Sequence, residues 1–473
     1  MKKLFAYFLL AAVMASSACN ILNPNVTDQV YLDNPDAAKS WVNGLRRQLA
    51  LTMNQVVVST ELVSDNYFNN RTLSSKVFDI PQIDYFDLDV NNLQVHIQRL
   101  REMADYGLEK VLPADHSATA NDSAEIYFSK AFAHLLSGEL FVALPGSSTG
   151  PVLTPAGHLD IAIENLDKAI GLTTDVNEKD AYILLKARAW YAKGNAANAV
   201  QFATAVSGNK TLLRQAKYDG INGVSNDMQT FLFSSVNNEF APLPRLDFLD
   251  PKYYHTGLAS GDQKPVTIAK AEEAALIIAE AQASANELPA ARQTLKDMLT
   301  EIVALRPVVM LDDSKETRNG GNRTDYPLTA VQVKFDAQDA PRSNYVLDRK
   351  AGNVKAYTVS GTMVTAADID AATDQDAVLY ILYRLRQEIF MAEGRRMKDL
   401  GIRLPVSQTE QLNNSHVLPE HIKAQIPAFI PLNRGMDDFT YDKDNGIVTM
   451  AYDMNKVLVA NKLAAEIFPF IHQ

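Results

Sequence analysis

The chain has 473 residues, of which 47% are hydrophobic and 21% are charged, and its formal net charge is −11. This composition is that of a globular protein with a large buried core, and it excludes an intrinsically disordered chain. The acidic balance, without any run of five or six like charges, argues against a nucleic-acid partner, because clustered lysine and arginine are needed to neutralise phosphates.

The first predicted element is a signal peptide over residues 1–18. Lys2 and Lys3 precede the apolar run LFAYFLLAAVMA, and small residues then lead to Cys19, which is the only cysteine of the chain. This order is typical of a secretory signal, and small residues directly before a lone cysteine are typical of a bacterial lipoprotein processing site. We therefore predict that Cys19 is acylated, for example with palmitate. Beyond Cys19 no uninterrupted apolar run reaches the roughly 18 residues of a membrane span.

Helical periodicity dominates the rest of the chain. The predicted helices are Asp36–Met53, Asn91–Val111, Ala124–Leu136, Pro155–Gly171, Glu178–Lys193, Ala196–Val206, Ile268–Ala285, Pro289–Val303 and Gln375–Leu400. We therefore predict a mostly α-helical protein in which residues 19–473 form a single domain.

Two of these regions repeat each other. The repeated positions, spaced by twelve and then by four, are Ala187, Ala199 and Ala203 in the first region and Ala279, Ala291 and Leu295 in the second. Small residues at these points let two antiparallel helices approach closely, as in tetratricopeptide-type helical pairs. We expect Ala124–Leu136 and Pro155–Gly171 to form a third pair.

Two regions lack this periodicity. Residues 311–365 are rich in Asp, Gly, Asn and Pro, which predicts an irregular insertion with one hairpin. Near the end, DDFTYDKDNGIVTMAYD predicts two strands around the turn Asp444-Asn445-Gly446. We expect a small β-hairpin there.

No catalytic motif is supported. The stretch GSSTG at Gly146–Gly150 matches the pattern around a nucleophilic serine, but Pro151 and an extended segment follow instead of the required helix, so we predict that Ser148 lies in a loop. His416 and His421 have a spacing that suits no helical metal pair. We expect no metal, no cofactor and no enzymatic activity. Paired carboxylates for glycoside hydrolysis stay open, because such partners are usually distant in sequence.

Residues 386–401, RQEIFMAEGRRMKDLG, combine a helical pattern with an internal glycine and several charges. On a helical wheel Arg384, Glu388, Arg395 and Asp399 form one polar stripe. The pairs Arg384–Glu388 and Arg395–Asp399 are each four residues apart, which is typical of a solvated helix face.

Arg386 and Glu393, however, fall in the middle of the apolar side of the same wheel. An unpaired buried charge costs several kcal/mol. We therefore predict that Arg386 and Glu393 each satisfy a polar group of a neighbouring helix or loop. Gly394 would let a neighbouring backbone come close.

This segment, extended to RLRQEIFMAEGRRMKDLG, closely resembles the signature helix of the SusD/RagB family of outer-membrane lipoproteins. HLLSGELFVALP and AEEAALIIAEAQASANELPAARQTLKDML resemble other parts of that family in the same order, and Cys19 matches its lipid anchor. The resemblance covers most of residues 19–400. The residues that it marks as a structural signature are Arg386, Glu388, Glu393, Gly394, Arg395 and Asp399.

The resemblance implies a non-catalytic lipoprotein, anchored to the outer membrane and facing the cell surface. Such a protein captures a nutrient, a glycan or a peptide, and passes it to a TonB-dependent channel for import. The resemblance also implies that tetratricopeptide-like helices face the channel and that irregular segments, including the insertion at about 311–365, build the ligand surface.

Candidate ligand residues are sought in loops rich in aromatic and amide side chains, because sugars stack on exposed aromatic rings. The loops SDNYFNN, DYFD, DPKYYH and NGGNRTDY supply them. The candidates are Asp65, Asn66, Tyr67, Tyr85, Tyr253, Tyr254, Asn322, Arg323 and Tyr326, with Phe68 and Phe86 beside them. Trp41 and Trp190 are expected in the core.

Two other functions stay open at this point. A lipid-anchored hydrolase of the same uptake pathway would need two carboxylates about 5–10 Å apart in its deepest cleft. A helical-repeat scaffold for protein partners would show a long exposed apolar surface.

Overall fold

The structure is a computed structural model, and it describes residues 32, 34–70, 76–233, 239–254, 258–314, 323, 325–431 and 435–472. Most of the secondary structure is helical. The longer helices are α1 (Ala37–Val63), α2 (Leu88–Tyr106), α3 (Ala120–Leu140), α4 (Pro155–Leu172), α5 (Val176–Ala192), α6 (Ala196–Val206), α7 (Ala271–Ser284), α8 (Leu288–Glu301) and α9 (Gln375–Ile389).

Short helices connect and cover these elements. Single α-helical turns or two turns lie at Lys76–Asp79, Leu112–Ala114, Asp227–Phe233, Ala366–Ala371, Arg396–Asp399, Gln408–Asn413 and Met454–Ala460. Segments of 3-10 helix lie at Pro244–Tyr253, Ala259–Gly261, Val303–Leu305 and Arg349–Ala351, and a π-helical turn, Gly107–Val111, extends α2.

The helices α3 and α4, α5 and α6, and α7 and α8 form three packed pairs, and α6 packs on α7. The predicted repeat is confirmed, because each of its six positions has no exposed surface. The turns of the second and third pairs also match, since Gly194 and Asn286 both adopt a left-handed backbone conformation, with φ values of 75° and 61°. Glycine and asparagine are the residues that accept this conformation most readily.

Polar side chains fix where several of these helices begin. Thr119 and Asp122 form a capping box at the start of α3, and Thr154 precedes the proline that opens α4. The side chains of Asp175 and Asn195 accept hydrogen bonds from the first turns of α5 and α6. These caps satisfy backbone N–H groups that have no partner within the helix.

The predicted helix Ile268–Ala285 is wrong in its first turn, which belongs to a strand. The strand β6 (Val266–Lys270) is buried along its whole length and pairs with β4 (Leu213–Ala216). Its β-branched residues Val266, Thr267 and Ile268 favour an extended chain, and the helix α7 begins only after it.

The strands form small sheets between the helices. They are β1 (Tyr67–Asn69), β2 (Leu144–Pro145), β3 (Val152–Leu153), β4, β5 (Phe240–Pro242), β6, β7 (Val308–Asp312), β8 (Gln332–Lys334), β9 (Asn353–Tyr357), β10 (Phe439–Asp442) and β11 (Ile447–Met450). The antiparallel pairs are β1 with β5, β2 with β3, β4 with β6, β7 with β9, and β10 with β11.

The predicted C-terminal hairpin is confirmed as β10 and β11, and Asp442 closes its turn by accepting hydrogen bonds from the N–H groups of Asp444 and Asn445. The hairpin expected within 311–365 instead pairs the two ends of that insertion, since β7 lies at its start and β9 near its end. Between them, β8 joins β11 in parallel.

Most of the buried apolar residues form one large cluster that runs from Val42 to Phe470, and Trp41 and Trp190 are half-buried against it. Ala37, Ala38 and Val111 form a second, small cluster. In the part of the chain that the structure describes, no helix combines the length and the apolar character needed to cross a membrane.

Candidate functional site

The signature segment is not a continuous helix, contrary to the prediction for Gln375–Leu400. The helix α9 ends at Ile389, and a short helix resumes only at Arg396–Asp399. Between them Ala392 and Gly394 adopt left-handed backbone conformations, with φ values of 58° and 74°. Two left-handed residues so close together end the α-helical hydrogen-bond pattern.

Gly394 lies where this segment crosses α1. A Cβ atom at Gly394 would approach Cγ1 of Val56 to 2.7 Å, and the backbone N–H of Gly394 donates a hydrogen bond of 3.0 Å to the carboxyl group of Glu61. Burial raises the pKa of Glu61 to about 7, although this hydrogen bond opposes the shift. The helix α1 therefore comes close at Gly394, but its nearest atom belongs to the Val56 side chain, whereas the nearest atom of the predicted neighbouring backbone would lie 3.9 Å from the added Cβ.

The stripe that was predicted to be solvated is buried. Its members are Arg384, Glu388, Arg395 and Asp399, which are 2%, 4%, 7% and 5% exposed. Arg384 and Glu388 do approach one another, with 3.6 Å between Nη2 and Oε1. Glu388 also accepts hydrogen bonds from the hydroxyl of Thr362 and the N–H of Met363, so that it holds the loop that covers α9.

The predicted pair Arg395–Asp399 does not form. The Asp399 carboxylate instead accepts two hydrogen bonds from Arg386, at 3.0 and 2.7 Å, and Arg395 pairs with Glu273 at 2.6 Å. Arg386 precedes the break in the helix and Asp399 follows it, so the break brings together two residues that a continuous helix would hold about 20 Å apart.

Glu393 satisfies two neighbouring cations, as the sequence predicts. Its Oε1 atom accepts hydrogen bonds from the ammonium groups of Lys252 at 2.6 Å and Lys270 at 2.8 Å. All three side chains are at most 8% exposed. Burial lowers the pKa of Lys270 to about 8, and the Glu393 carboxylate opposes that shift. The contacts of the signature residues are thus with the protein itself.

The first group of ligand candidates is also buried, so the expectation of an exposed loop is wrong for Asp65, Asn66 and Tyr67. The Asp65 carboxylate accepts hydrogen bonds of 2.6 and 2.9 Å from Arg396. Burial opposes ionisation of Asp65, but the Arg396 guanidinium outweighs it and lowers the pKa of Asp65. Asn66 donates to Glu61 at 2.7 Å.

Tyr253 and Tyr326 are likewise inside the protein, at 1% and 8% exposure, which corrects the expectation that they are exposed. The Tyr253 hydroxyl donates to the carbonyl of Ala392 at 2.8 Å, and the Tyr326 hydroxyl donates to that of Pro242 at 3.0 Å. These rings fix loops against the core and present no face to solvent.

Arg323 lies with its guanidinium 3.6 Å from the ring centre of Phe439 and pairs with two aspartates. Tyr254 is half-buried and packs edge-on against Phe233, with ring centres 5.4 Å apart. Two further predicted site residues lie outside the described residues: Cys19 and Asn322.

Tyr85 and Phe86 differ from the other candidates because they remain accessible. Phe86 is 57% exposed, Tyr85 is half-buried, and their rings meet edge to face with centres 5.7 Å apart. The carbonyl of Tyr85 accepts a hydrogen bond of 2.7 Å from the N–H of Gln408, at the start of the short helix Gln408–Asn413. This helix forms one wall of a polar cleft.

The polar cleft encloses about 450 Å³ between α2, the loop at Gly146–Gly150 and the helix Gln408–Asn413. Amide side chains organise it. The Nε2 atoms of Gln94 and Gln98 both donate to Oε2 of Glu410, at 3.1 and 3.2 Å. This arrangement holds the Glu410 carboxylate in place.

One buried acceptor in the described lining has no hydrogen-bond partner. The Oδ1 atom of Asn91 is buried and accepts no hydrogen bond from any described residue. Buried polar atoms normally have a partner, so an unpaired amide oxygen beside a cleft suits a ligand donor such as a hydroxyl group. Amide and carboxylate groups beside exposed aromatic rings are the features that sugar binding requires.

Ser148 lines the same cleft from the loop that joins β2 and β3. A strand follows this loop where a nucleophile elbow would need a helix, so the predicted loop is confirmed. Sequence reasoning identified Tyr85 and Phe86 but missed Gln94, Gln98 and Glu410. Glu410 is more than 300 residues from both glutamines, and no local pattern connects them.

No protein-family model and no curated protein sequence matches the chain. Solved structures do match it over most of its length, and they define its class as the SusD-like fold. The resemblance found in the signature segment is therefore confirmed at the level of the fold.

Three of the matching structures are of Bacteroides proteins. A SusD-like protein from Bacteroides fragilis NCTC 9343 aligns with a TM-score of 0.53 and 12% identity, over 83% of this chain and 98% of its own. A SusD superfamily protein from Bacteroides fragilis aligns with a TM-score of 0.51 and 14% identity, over 81% and 99%. A protein from Bacteroides vulgatus ATCC 8482 that is named for sugar binding aligns with a TM-score of 0.50 and 11% identity, over 82% and 98%.

Proposed function

We propose that the protein is a non-catalytic binding protein that captures a nutrient glycan and passes it to a TonB-dependent channel. The observation that carries this proposal is the pair of exposed Phe86 and half-buried Tyr85 beside the polar cleft. The rings supply stacking surface, while Asn91 and Glu410 supply hydrogen-bond acceptors for sugar hydroxyls. The SusD-like fold and the sugar-binding name of one protein with that fold support the proposal.

We propose further that the mature chain is attached to the outer membrane through a lipid on Cys19 and that it faces the cell surface. The signal-like segment at residues 1–18 and the position of the single cysteine support this attachment. Metabolic labelling with a palmitate analogue tests it, because a Cys19→Ala variant would lose the label and appear in the soluble fraction.

The first experiment on binding is an array of neutral glycans and peptides probed with residues 20–473. Calorimetry then compares the unmodified chain with Phe86→Ala for the best glycan. Loss of one stacking face costs about 1–1.5 kcal/mol, so we expect roughly a tenfold weaker Kd. Tyr441→Ala is the matched control, because Tyr441 is also a partly exposed ring and lies on the C-terminal hairpin.

A peptide ligand would be favoured if only peptides bound and Phe86→Ala weakened them. A hydrolase would be favoured if a bound oligosaccharide were cut, which mass spectrometry of the mixture detects. Equal affinity of Phe86→Ala and Tyr441→Ala for the best ligand would contradict the assignment of this site.

One observation favours a second function, as a surface for a protein partner. The apolar side chains Leu305, Val308, Val309 and Met310 are 46–66% exposed on and before the short strand β7. Exposed apolar strands commonly bind other chains. The channel can be sought by co-purification from membranes, and Val309→Lys should reduce its recovery if this strand contacts it. If the Val309→Lys variant recovers the channel as well as the unmodified chain does, β7 is not the surface that contacts the channel.

A further inference from the structure

We propose that a second cleft, between α1 and β4, binds an acidic group of a ligand, either a carboxylate or a sulfate. It encloses about 630 Å³, which is within the usual range for small-molecule sites. It shares no lining residue with the polar cleft beside Tyr85. Leu49, Ala50 and Val224 give it an apolar floor.

The charged side chains around this second cleft have one positive charge in excess, although the whole chain is acidic, with a net charge of −11. The lining contains four cationic and three anionic residues: Arg46, Arg47, Arg214, Lys217, Glu125, Glu178 and Asp219. Which of these charges face a ligand depends on how they are paired.

Arg214 pairs with both glutamates, and Arg46, which also pairs with Glu125, balances their remaining negative charge. Its Nη2 atom lies 3.0 Å from both carboxylate oxygens of Glu125, and its Nη1 atom pairs with Glu178. The guanidinium also stacks on Phe128, 3.9 Å from the ring centre, which fixes it at the back of the cleft. The glutamates therefore do not repel an incoming anion as free carboxylates would.

Arg47 and Lys217 are exposed, and neither has a carboxylate within 4.0 Å in the described ranges. Arg46 is 60% exposed and pairs with Glu125, with 3.4 Å between Nε and Oε1. Asp219 directs its carboxylate to backbone N–H groups of its own turn. The cleft thus offers two unpaired cations above an apolar floor, which suits a ligand that carries an anionic group.

An aromatic ring completes the second cleft. Tyr218 lines it, and its hydroxyl donates to the carbonyl of Ala50 at 3.2 Å, which holds the ring in place. A ring beside two cations favours a saccharide that carries an acid, because the sugar can stack while its acid pairs with Arg47 and Lys217. Uronic acids and sulfated sugars share this chemistry.

Calorimetry at low salt tests the proposal with four probes: tri-galacturonate, its neutral methyl ester, galactose 6-sulfate and inorganic sulfate. We expect at least one acidic probe to bind about tenfold more tightly than the neutral ester, since hydrogen bonds between charged groups are stronger than those between neutral groups. The double variant Arg47→Ala/Lys217→Ala should lose that advantage. The double variant Lys110→Ala/Lys350→Ala is the control, because it removes two exposed lysines that do not line the cleft.

The probes also separate the sources of the acidic group. Tight binding of tri-galacturonate assigns a carboxylate and tight binding of galactose 6-sulfate assigns a sulfate ester, whereas binding of inorganic sulfate alone contradicts a saccharide ligand and overturns the proposal. The proposal is overturned if no acidic probe exceeds the neutral ester, or if both double variants bind equally well. It stands or falls independently of the site at Tyr85, because none of these variants touches that site.

Discussion

Substitution of Gly394 by alanine tests the packing of the signature segment against α1. The new methyl group would lie 2.7 Å from Cγ1 of Val56, closer than real contacts allow. The backbone at this residue is left-handed, with φ of 74°. A left-handed conformation costs an alanine about 1–2 kcal/mol, and overpacking a dense core costs about 1–3 kcal/mol. Together these effects should lower the free energy of unfolding by about 2–5 kcal/mol.

Movement of the segment would not remove the energetic cost of the Gly394→Ala substitution. The N–H of Gly394 donates to Glu61, whose carboxyl group has no exposed surface. A shift that moves the methyl group away from Val56 also breaks this hydrogen bond, and a buried polar group without its partner costs about 1–3 kcal/mol. The destabilisation therefore persists whichever way the structure responds.

Urea unfolding followed by far-UV circular dichroism measures the effect. For a chain of this length the unfolding entropy corresponds to about 1 kcal/mol per degree, so Tm should also fall by about 2–5 °C. Gly171→Ala is the control, because a Cβ atom there meets nothing within 4 Å and Gly171 lies near the end of a helix, α4. We expect that variant to be neutral or slightly stabilised. If both variants unfold at the same urea concentration, the packing argument for Gly394 is refuted.

Two further predictions concern buried carboxyl groups. Glu393→Ala leaves Lys252 and Lys270 without their shared anion, so it should destabilise the protein by about 3–5 kcal/mol. The affinity of the folded protein for a glycan should change little, and Glu420→Ala on the surface is the control. Unchanged melting together with lost binding would contradict a structural role for Glu393. Burial raises the pKa of Glu280 from 4.5 to about 7, so the folded state holds a proton that the unfolded state releases. The contribution of Glu280 to the free energy of unfolding is complete below pH 4.5 and is lost as the pH rises through about 7. This loss is on the order of 3 kcal/mol. In urea titrations between pH 5 and 8, the Glu280→Gln variant should lose less stability with rising pH than the unmodified protein.

The parts of the fold that local sequence determines could be predicted well. The helix Ala196–Val206 has the bounds that its periodicity predicts. The paired helices follow from small residues at fixed spacing, since a side chain larger than that of Ala199 would hold the helices apart. The C-terminal hairpin follows from its Asp-Asn-Gly turn.

The break in the signature segment could not be predicted, because its residues favour a helix. Met391, Ala392 and Glu393 are good helix formers, yet Glu393 turns to two lysines that are more than 100 residues away. Contacts with α1 and with those lysines outweigh the local preference. Only Gly394 signalled the break, and a single glycine is tolerated in many helices.

The candidate sites could be predicted only in part, because many of their contacts join residues that are distant in sequence. The aromatic pair Tyr85 and Phe86 is a local feature that the sequence displays. The amide and carboxylate groups of the polar cleft come from segments that meet only in the folded chain. Asp65 and Tyr67 were predicted to lie in an exposed loop but are buried. A loop rich in polar and aromatic residues can be covered completely by later segments of the chain.

The buried contact of Arg396 with Asp65 and Asn455 has a kinetic consequence. Its members are separated by 331 and 59 residues along the chain. A ribosome that adds about 5–20 residues per second needs roughly 20–80 s to progress from residue 65 to residue 455. Until residue 396 has been made, the carboxylate of Asp65 lacks the Arg396 guanidinium, and until residue 455 has been made, Arg396 lacks Asn455, so this buried contact is completed only late in synthesis. Contacts of such long range also slow the search for the native state, and a nascent chain of this design depends on being kept from aggregation until its last helix is made.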